Sequence, residues 1–495
     1  MPMLIERIVD NCRAYADKTA YQSLSGTITY AQLLQRACRL AGEIDRMAPR
    51  KSPVLVYGHK QPLMPVCFLA CVLSGRAYVP VDDAVPPARV QKMAALAGAA
   101  LVLAVSDIAL CGVGTLDHDA LARICGDETI HGDAIRPVML RQDLFYIIFT
   151  SGSTGEPKGV RITYENIDAF VGALCGIPGL MQGDGAVLNQ AAFSFDLSAA
   201  DLYGALATGR TLFALEREAQ RDMELLFDRL AHSNAQTAVL TPSFAELCLA
   251  DRSFSSALMP RLEAVLFCGE TLRPVTVRRL FQRFCGLRVF NSYGPTEATV
   301  AVTVGEITPD LADEDALPLG TEIAGTTIHV VDEGLMAVPD GRTGQFLVTG
   351  RSVGAGYTGG VQGGFIRFGE QRAFLTGDYG CRARGRLWFI GRTDDQVKHR
   401  GFRIELPDIE YNLCHIEGVA RCAVVCVHDP GGREYLAAYV CPEQGAVLAA
   451  QGIRSALLRH LPAYMIPERV RIVDTLPLNP NGKCDHAALV CAEQS

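Results

Sequence analysis

The chain has 495 residues, 49% of them hydrophobic, and a formal net charge of −8 at pH 7. This length exceeds what one hydrophobic core serves, so two or more domains are expected, and the acidic balance argues against a nucleic-acid binder. No apolar run approaches the roughly 18 residues that span a bilayer, so no membrane insertion is expected. Met1 to Arg13 mixes charged and apolar residues without a signal core, which reads as cytoplasmic. The 17 cysteines sit mostly in apolar runs such as Cys67-Phe68-Leu69-Ala70-Cys71 and read as buried, reduced thiols.

In chain order, Pro53 to Tyr57 reads as a strand, Leu63 to Leu73 as a buried helix and Tyr78 to Val81 as a strand. A helix from about Pro87 to Leu96 and a strand at Ala100 to Val105 follow. Leu144 to Phe149 is again strand-like. Later strands are expected at Ala238 to Leu240, Ala264 to Phe267 and Val289 to Asn291, with helical stretches between them. Such alternation implies α/β layers with a mostly parallel sheet. Ligands in such folds bind beyond the carboxyl ends of strands. From Thr326 to Ile390 short strands and many glycines suggest a β-rich subdomain. The polar stretch Gly391 to Gln396 reads as a linker to an α+β lobe of about 100 residues. Cys422 and Cys426 fall in an apolar alternation, Ala420 to Val427, and read as strand residues rather than a metal-binding pair. The expected fold is therefore α/β: a large N-terminal α/β core with a β-rich subdomain (residues 1–393) and a small, mobile α+β C-terminal lobe (residues 394–495).

The densest chemical signal follows the strand that ends at Phe149. Thr150, Ser151, Gly152, Ser153, Thr154, Gly155 and Lys158 set hydroxyls, close-approach glycines and one positive charge into a short loop. Backbone N–H groups freed by glycine, with hydroxyls and an ammonium, suit a polyphosphate. The spacing is not that of a Walker A loop. A plain Gly/Ser surface turn is the alternative.

This run resembles the phosphate loop of the adenylate-forming superfamily, which comprises acyl-CoA synthetases, luciferases and the adenylation domains of peptide synthetases. Further matches lie in the family's order. They are Ala77-Tyr78-Val79-Pro80-Val81-Asp82, Asn291-Ser292-Tyr293-Gly294-Pro295-Thr296-Glu297, Thr376-Gly377-Asp378, Gly391-Arg392, Asp394, Gly401-Phe402-Arg403-Ile404-Glu405 and Asn481-Gly482-Lys483. Within the superfamily, the runs Asn189 to Ser198, Thr241 to Leu249 and Phe267 to Glu270 are most similar to the stand-alone ligases that charge a carrier protein with D-alanine.

The resemblance implies ATP and Mg²⁺ as cofactors, and adenylation of a carboxylate followed by transfer to a thiol. It implies Lys483 as the cation that neutralises the two meeting anions and Glu297 as the Mg²⁺ ligand, with Lys158 at the phosphates. Asn291 and Tyr293 would take adenine, with Gly294 and Thr296 beside them. Asp378 would accept from the ribose hydroxyls, and Arg392 would reach ribose or phosphate. Core packing for Tyr293 and a turn role for Asp378 remain open.

Asp196 matches the aspartate that holds the α-ammonium in amino-acid-activating members; a helix N-cap is its alternative. Matched selectivity positions fall on Leu197, Ala200, Leu266, Cys268, Ser292, Val300 and Ala301, an apolar lining for a small amino acid. Cys268 matches the residue that crowds the site against the L-enantiomer. At Ala200 the family pattern has a bulkier residue, typically methionine, so a larger apolar amino acid also fits. Asp394 matches the hinge on which the lobe turns. No attachment serine follows Lys483, so a separate phosphopantetheinylated carrier protein is the expected partner. An acyl- or aryl-CoA ligase of the same fold is the competing reading.

Overall fold

In the computed structural model the residues described are 2–127, 138–151, 156–392, 396–400, 402–428, 434–477 and 484–494. They fall into two compact units. One comprises Met1–Asp83, Ala94–Ile148 and Gly159–Thr393; the other comprises Ala84–Met93, Phe149–Lys158 and Asp394–Ser495.

The first unit contains a nine-stranded sheet in the spatial order Thr321–Glu322, Thr303–Ile307, Arg288–Tyr293, Ala264–Phe267, Ala235–Leu240, Ala186–Asn189, Leu212–Ala214, Thr19–Ser23 and Gly26–Thr29. From Arg288–Tyr293 across to Thr19–Ser23 every neighbouring pair is parallel. These strands are buried on both faces, which is why Ala264-Val265-Leu266-Phe267 is a continuous apolar run rather than an alternating one. Helices cover the faces. Leu197–Ala207 is buried from Leu197 to Leu206, and Leu63–Leu73 from Met64 to Leu73, as expected of helices apolar all round. In a second parallel sheet Val54–Tyr57 lies between Tyr78–Val81 and Leu101–Ala104.

The predicted β-rich region is a five-stranded antiparallel sheet built from Thr326–Val331, Gly344–Gly350, Gln371–Ala383, Phe365–Phe368 and Arg386–Arg392. The stretch read as a linker is partly sheet. Gly391 and Arg392 pair with Tyr379 and Asp378, and Gln396 opens the strand Gln396–His399. Polar side chains hid these strands because the backbone ladder, not apolar burial, holds them.

In the second unit the strands Val419–His428, Glu434–Pro442 and Arg469–Ile472 form a sheet. Its two faces bury different sets, as period-two alternation requires. Val424, Leu436 and Ala438 pack with Ile404, Ile409 and Leu413 on one face, while Val425, Tyr435 and Tyr439 pack with Leu489 on the other. The strand predicted around Cys422 and Cys426 is therefore present.

Candidate active site

The carboxyl ends of two neighbouring parallel strands in the first unit carry Leu266, Cys268, Asn291, Ser292 and Tyr293. Leu266 and Phe267 register with Phe290 and Asn291 on the neighbouring strand, and Cys268 follows directly. Asn291, Ser292 and Tyr293 belong to the strand itself, two residues beyond the predicted end. Ser292 Oγ donates to the Phe267 carbonyl at 2.7 Å, and Asn291 Nδ2 donates to the Pro318 carbonyl at 2.8 Å. Both hydrogen bonds tie the strand end to its surroundings.

Tyr293, Asp378 and Arg392 form one buried polar group. Tyr293 Oη donates to Asp378 Oδ2 at 2.5 Å, and Arg392 pairs with Asp378 Oδ1. Thr376 Oγ1 accepts the Asp378 backbone N–H at 3.0 Å. Burial first, then the Asp378 charge, holds the Tyr293 phenol well above its ordinary range, so it remains a donor. Its ring also packs edge-on against Phe346, at 5.6 Å between centroids. Packing and polar roles thus coexist at Tyr293, and Asp378 is more than a turn residue.

Glu297 lies in the short 3₁₀ turn Thr296–Ala298 and is fully buried. Tyr357 Oη donates to Glu297 Oε1 at 2.6 Å, and the Gly354 N–H donates to the Glu297 carbonyl at 2.8 Å. Tyr357 was not anticipated from the sequence; the only available signal was an aromatic set between Gly354, Gly356 and Gly359. Glu297 suits magnesium in kind, since that ion takes hard oxygen donors and needs few carboxylates where phosphate oxygens and water supply the rest.

The proposed acid pocket is an apolar cluster. Leu197, Ala200, Leu266, Cys268, Val300 and Ala301 belong to one continuous buried group. Cys268 Sγ lies 3.8 Å from the Val300 carbonyl. Thr299 and Val300 adopt φ of 60° and 67°, a left-handed conformation that β-branched residues rarely take and that costs roughly 1–3 kcal/mol each. The surroundings hold them there. Thr299 Oγ1 donates to the Ser352 carbonyl at 2.7 Å, and Val302 N–H donates to the Tyr293 carbonyl at 2.8 Å. Gly294 is required beneath this turn, since a Cβ there would lie 2.6 Å from Ala301 Cα.

Asp196 occupies the position before the helix Leu197–Ala207, yet its side chain makes no capping hydrogen bond and its backbone is already helical. The N-cap alternative therefore fails. Asp196 and Ala200, four residues apart, share one helix face. The Tyr146 phenol is raised by burial and then by the Asp196 charge, and its oxygen has no hydrogen-bond partner among the described residues. The segment leading to Asp196 is clamped by Lys60, whose ammonium donates to the carbonyls of Asn189, Gln190 and Leu215 at 3.2, 2.9 and 2.8 Å. Burial pulls that ammonium down to about 7. Neither Tyr146 nor Lys60 stood out in the sequence.

Other predicted residues belong to the second unit. Thr150 ends the strand Leu144–Thr150, and Lys158 begins Lys158–Thr163, half-buried. Ser151 Oγ accepts the Glu405 N–H at 2.9 Å and donates to the Arg403 carbonyl at 3.1 Å, joining the phosphate-type run to the strand Phe402–Glu405. Gly152, Ser153, Thr154, Gly155, Asp394 and Lys483 lie outside the described residues.

Such a site on such a fold defines a class. The chain matches the AMP-binding enzyme family over residues 8–358 and the AMP-binding enzyme C-terminal domain over residues 408–483. It belongs to the AMP-binding enzymes. More particularly, it is 38% identical to the D-alanine–D-alanyl carrier protein ligase of Bacillus licheniformis, over 98% of either chain. It is 37% identical to the ligase of the same name from Bacillus cereus, over 98% of this chain and 99% of that one. Among solved structures it resembles PA1221, an NRPS protein containing adenylation and PCP domains, with a TM-score of 0.83 and 26% identity over 99% of this chain and 84% of that one. The Vibrio cholerae adenylation domain AlmE shares the fold, with a TM-score of 0.83 at 20% identity over 99% and 98% of the two chains.

Proposed function

We propose that this protein is an ATP-dependent amino acid ligase that adenylates D-alanine and passes it to the phosphopantetheine thiol of a separate carrier protein, acting in the cytoplasm. The observation that carries this reading is Asp196. It heads a buried helix without capping it and shares a face with Ala200, in a chain 38% identical to D-alanine–D-alanyl carrier protein ligases. A carboxylate beside an apolar pocket fits an α-ammonium with a small side chain. In this assignment Leu197, Ala200, Leu266, Cys268, Ser292, Val300 and Ala301 line the pocket, with Cys268 setting chirality.

The substrate carboxylate attacks the α-phosphorus of ATP and pyrophosphate leaves. Lys483 neutralises the charge gathered there, while Thr150 to Gly155 and Lys158 cradle the leaving phosphates. Asp378 and Arg392 take the ribose, and Asn291, Tyr293, Gly294 and Thr296 the adenine. Glu297 would hold magnesium, whose charge offsets that of the phosphates when bound. A turn about Asp394, between a core of residues 1–393 and a lobe of residues 394–495, then exchanges Lys483 for the carrier thiol.

Ala200 favours a second reading, a somewhat larger apolar amino acid. Amino-acid-dependent ATP–pyrophosphate exchange across both alanine enantiomers and larger apolar amino acids decides between them. Exchange strongest with D-alanine and weak with L-alanine is expected. A maximum at a larger or an L-amino acid would overturn the D-alanine assignment, and exchange with none would overturn amino acid adenylation itself.

A further inference from the structure

The C-terminal lobe brings together a histidine, a cysteine and two glutamates that adenylation does not use. His399 ends the strand Gln396–His399 and is 2% exposed. Cys426 lies on Val419–His428, and Glu434 opens the antiparallel neighbour. The register, Cys426 opposite Leu436 and His428 opposite Glu434, places Cys426 and Glu434 diagonally on one face. A ring nitrogen of His399, Cys426 Sγ and a Glu434 oxygen all lie within 4.8 Å of one another. Nδ1 is buried and has no hydrogen-bond partner among the described residues; Glu434 Oε2 is 3.6 Å away. Two ligands bound at about 2.0–2.3 Å to a tetrahedral ion stand roughly 3.3–3.8 Å apart, which matches that separation.

The other ring nitrogen completes the pattern. His399 Nε2 lies 3.2 Å from Glu468 Oε1. Glu468 is itself fixed, by the Leu436 N–H at 2.8 Å and by Arg400 at 2.7 Å. A carboxylate on the far nitrogen selects the tautomer whose Nδ1 lone pair lies on the Glu434 side, the arrangement usual behind a metal-bound histidine. From these juxtapositions we propose that the lobe holds a divalent transition metal of the zinc class, bound by His399, Cys426 and Glu434 and completed by water, with Glu468 orienting the histidine.

A plain ion pair explains less. A doubly protonated imidazole would set Nδ1 3.6 Å from Glu434 Oε2, an ion pair that lacks hydrogen-bond geometry. Thiolate with imidazole selects zinc rather than magnesium, so this site is chemically distinct from the one assigned to Glu297. The sequence reading rejected a Cys422–Cys426 metal pair; here Cys426 acts with partners from other strands.

The test uses the purified full chain. Co²⁺ titration should show one tight equivalent with thiolate-to-metal charge-transfer absorption, and Zn²⁺ should displace it. Cys426→Ser should abolish that absorption. Glu434→Gln should weaken Zn²⁺ binding, read against a chromophoric chelator, by at least about 10-fold. Glu468→Gln should weaken it by about 10–100-fold while keeping the absorption. Cys414→Ser serves as the control, because Cys414 and Cys422 stand 3.3 Å apart at Sγ and form a rival thiol pair. No stoichiometric binding by the natural chain, absorption surviving Cys426→Ser, or binding lost in Cys414→Ser would each overturn the proposal.

Discussion

The residues assigned to the nucleotide and those assigned to the amino acid meet at the end of the strand Arg288–Tyr293 but are held by different means. On the nucleotide side, Asp378 is fixed by side chains, Tyr293 and Arg392, and Glu297 by Tyr357. On the acid side, Val300 and Ala301 are fixed by backbone, through a left-handed turn pressed against Gly294. Hydrogen-bonded side chains set charge at defined points, which polyphosphate and ribose require. A backbone-held apolar wall sets volume, which separates alanine from larger amino acids. The first side should therefore be sensitive to single polar atoms, and the second to methylene groups.

The largest effects test the charged groups. Lys483→Ala should lower adenylate formation by at least about 10²-fold, the usual result of losing one donor to a developing anion. Glu297→Gln should fall in the same range and show as kcat rather than amino acid KM. Pyrophosphate exchange at saturating ATP measures both. Normal exchange in either variant would remove that residue from the adenylation step. Asp196→Ala should come next, with kcat/KM for the amino acid reduced about 10–150-fold, equivalent to about 1.5–3 kcal/mol for a hydrogen bond to a charged group. A simple acyl acid should be no worse a substrate for this variant, and equal losses for both would defeat the ammonium assignment. Ala200→Met tests volume. It should shift preference between D-alanine and a larger apolar amino acid by roughly 10–200-fold while leaving the KM for ATP unchanged.

Much of this arrangement is legible in the sequence, for identifiable reasons. Strands such as Ala264–Phe267 and helices such as Leu63–Leu73 announce themselves because parallel-sheet elements are buried on all sides and are written in continuous apolar residues. What stays hidden depends on distant partners. Gly391 and Arg392 look like linker because their ladder to Tyr379 and Asp378 is a backbone property. Lys60 sits in a short polar stretch that gives no hint of burial; three carbonyls from two other strands' ends enclose it. The left-handed Thr299 and Val300 defy local preference, since neither is glycine, and distant partners hold them: the Ser352 carbonyl, the Tyr293 carbonyl and the space left at Gly294. His399, Cys426, Glu434 and Glu468 come from four separate segments, and no spacing rule connects them.

The smallest effect makes the finest division between the two sides. Tyr293→Phe removes one hydroxyl and keeps the ring that packs on Phe346. Asp378 then loses the donor at Oδ2 but retains Arg392 at Oδ1 and the Thr376 support of its backbone. One hydrogen bond of about 1 kcal/mol is at stake, so the KM for ATP should rise roughly five-fold. The KM for the amino acid should stay unchanged, because the acid-side wall meets this strand through the Tyr293 carbonyl, which the substitution preserves. If both constants moved together, the two halves of the site would be coupled through the Tyr293 ring, and the division between side-chain and backbone support would fail at the residue they share.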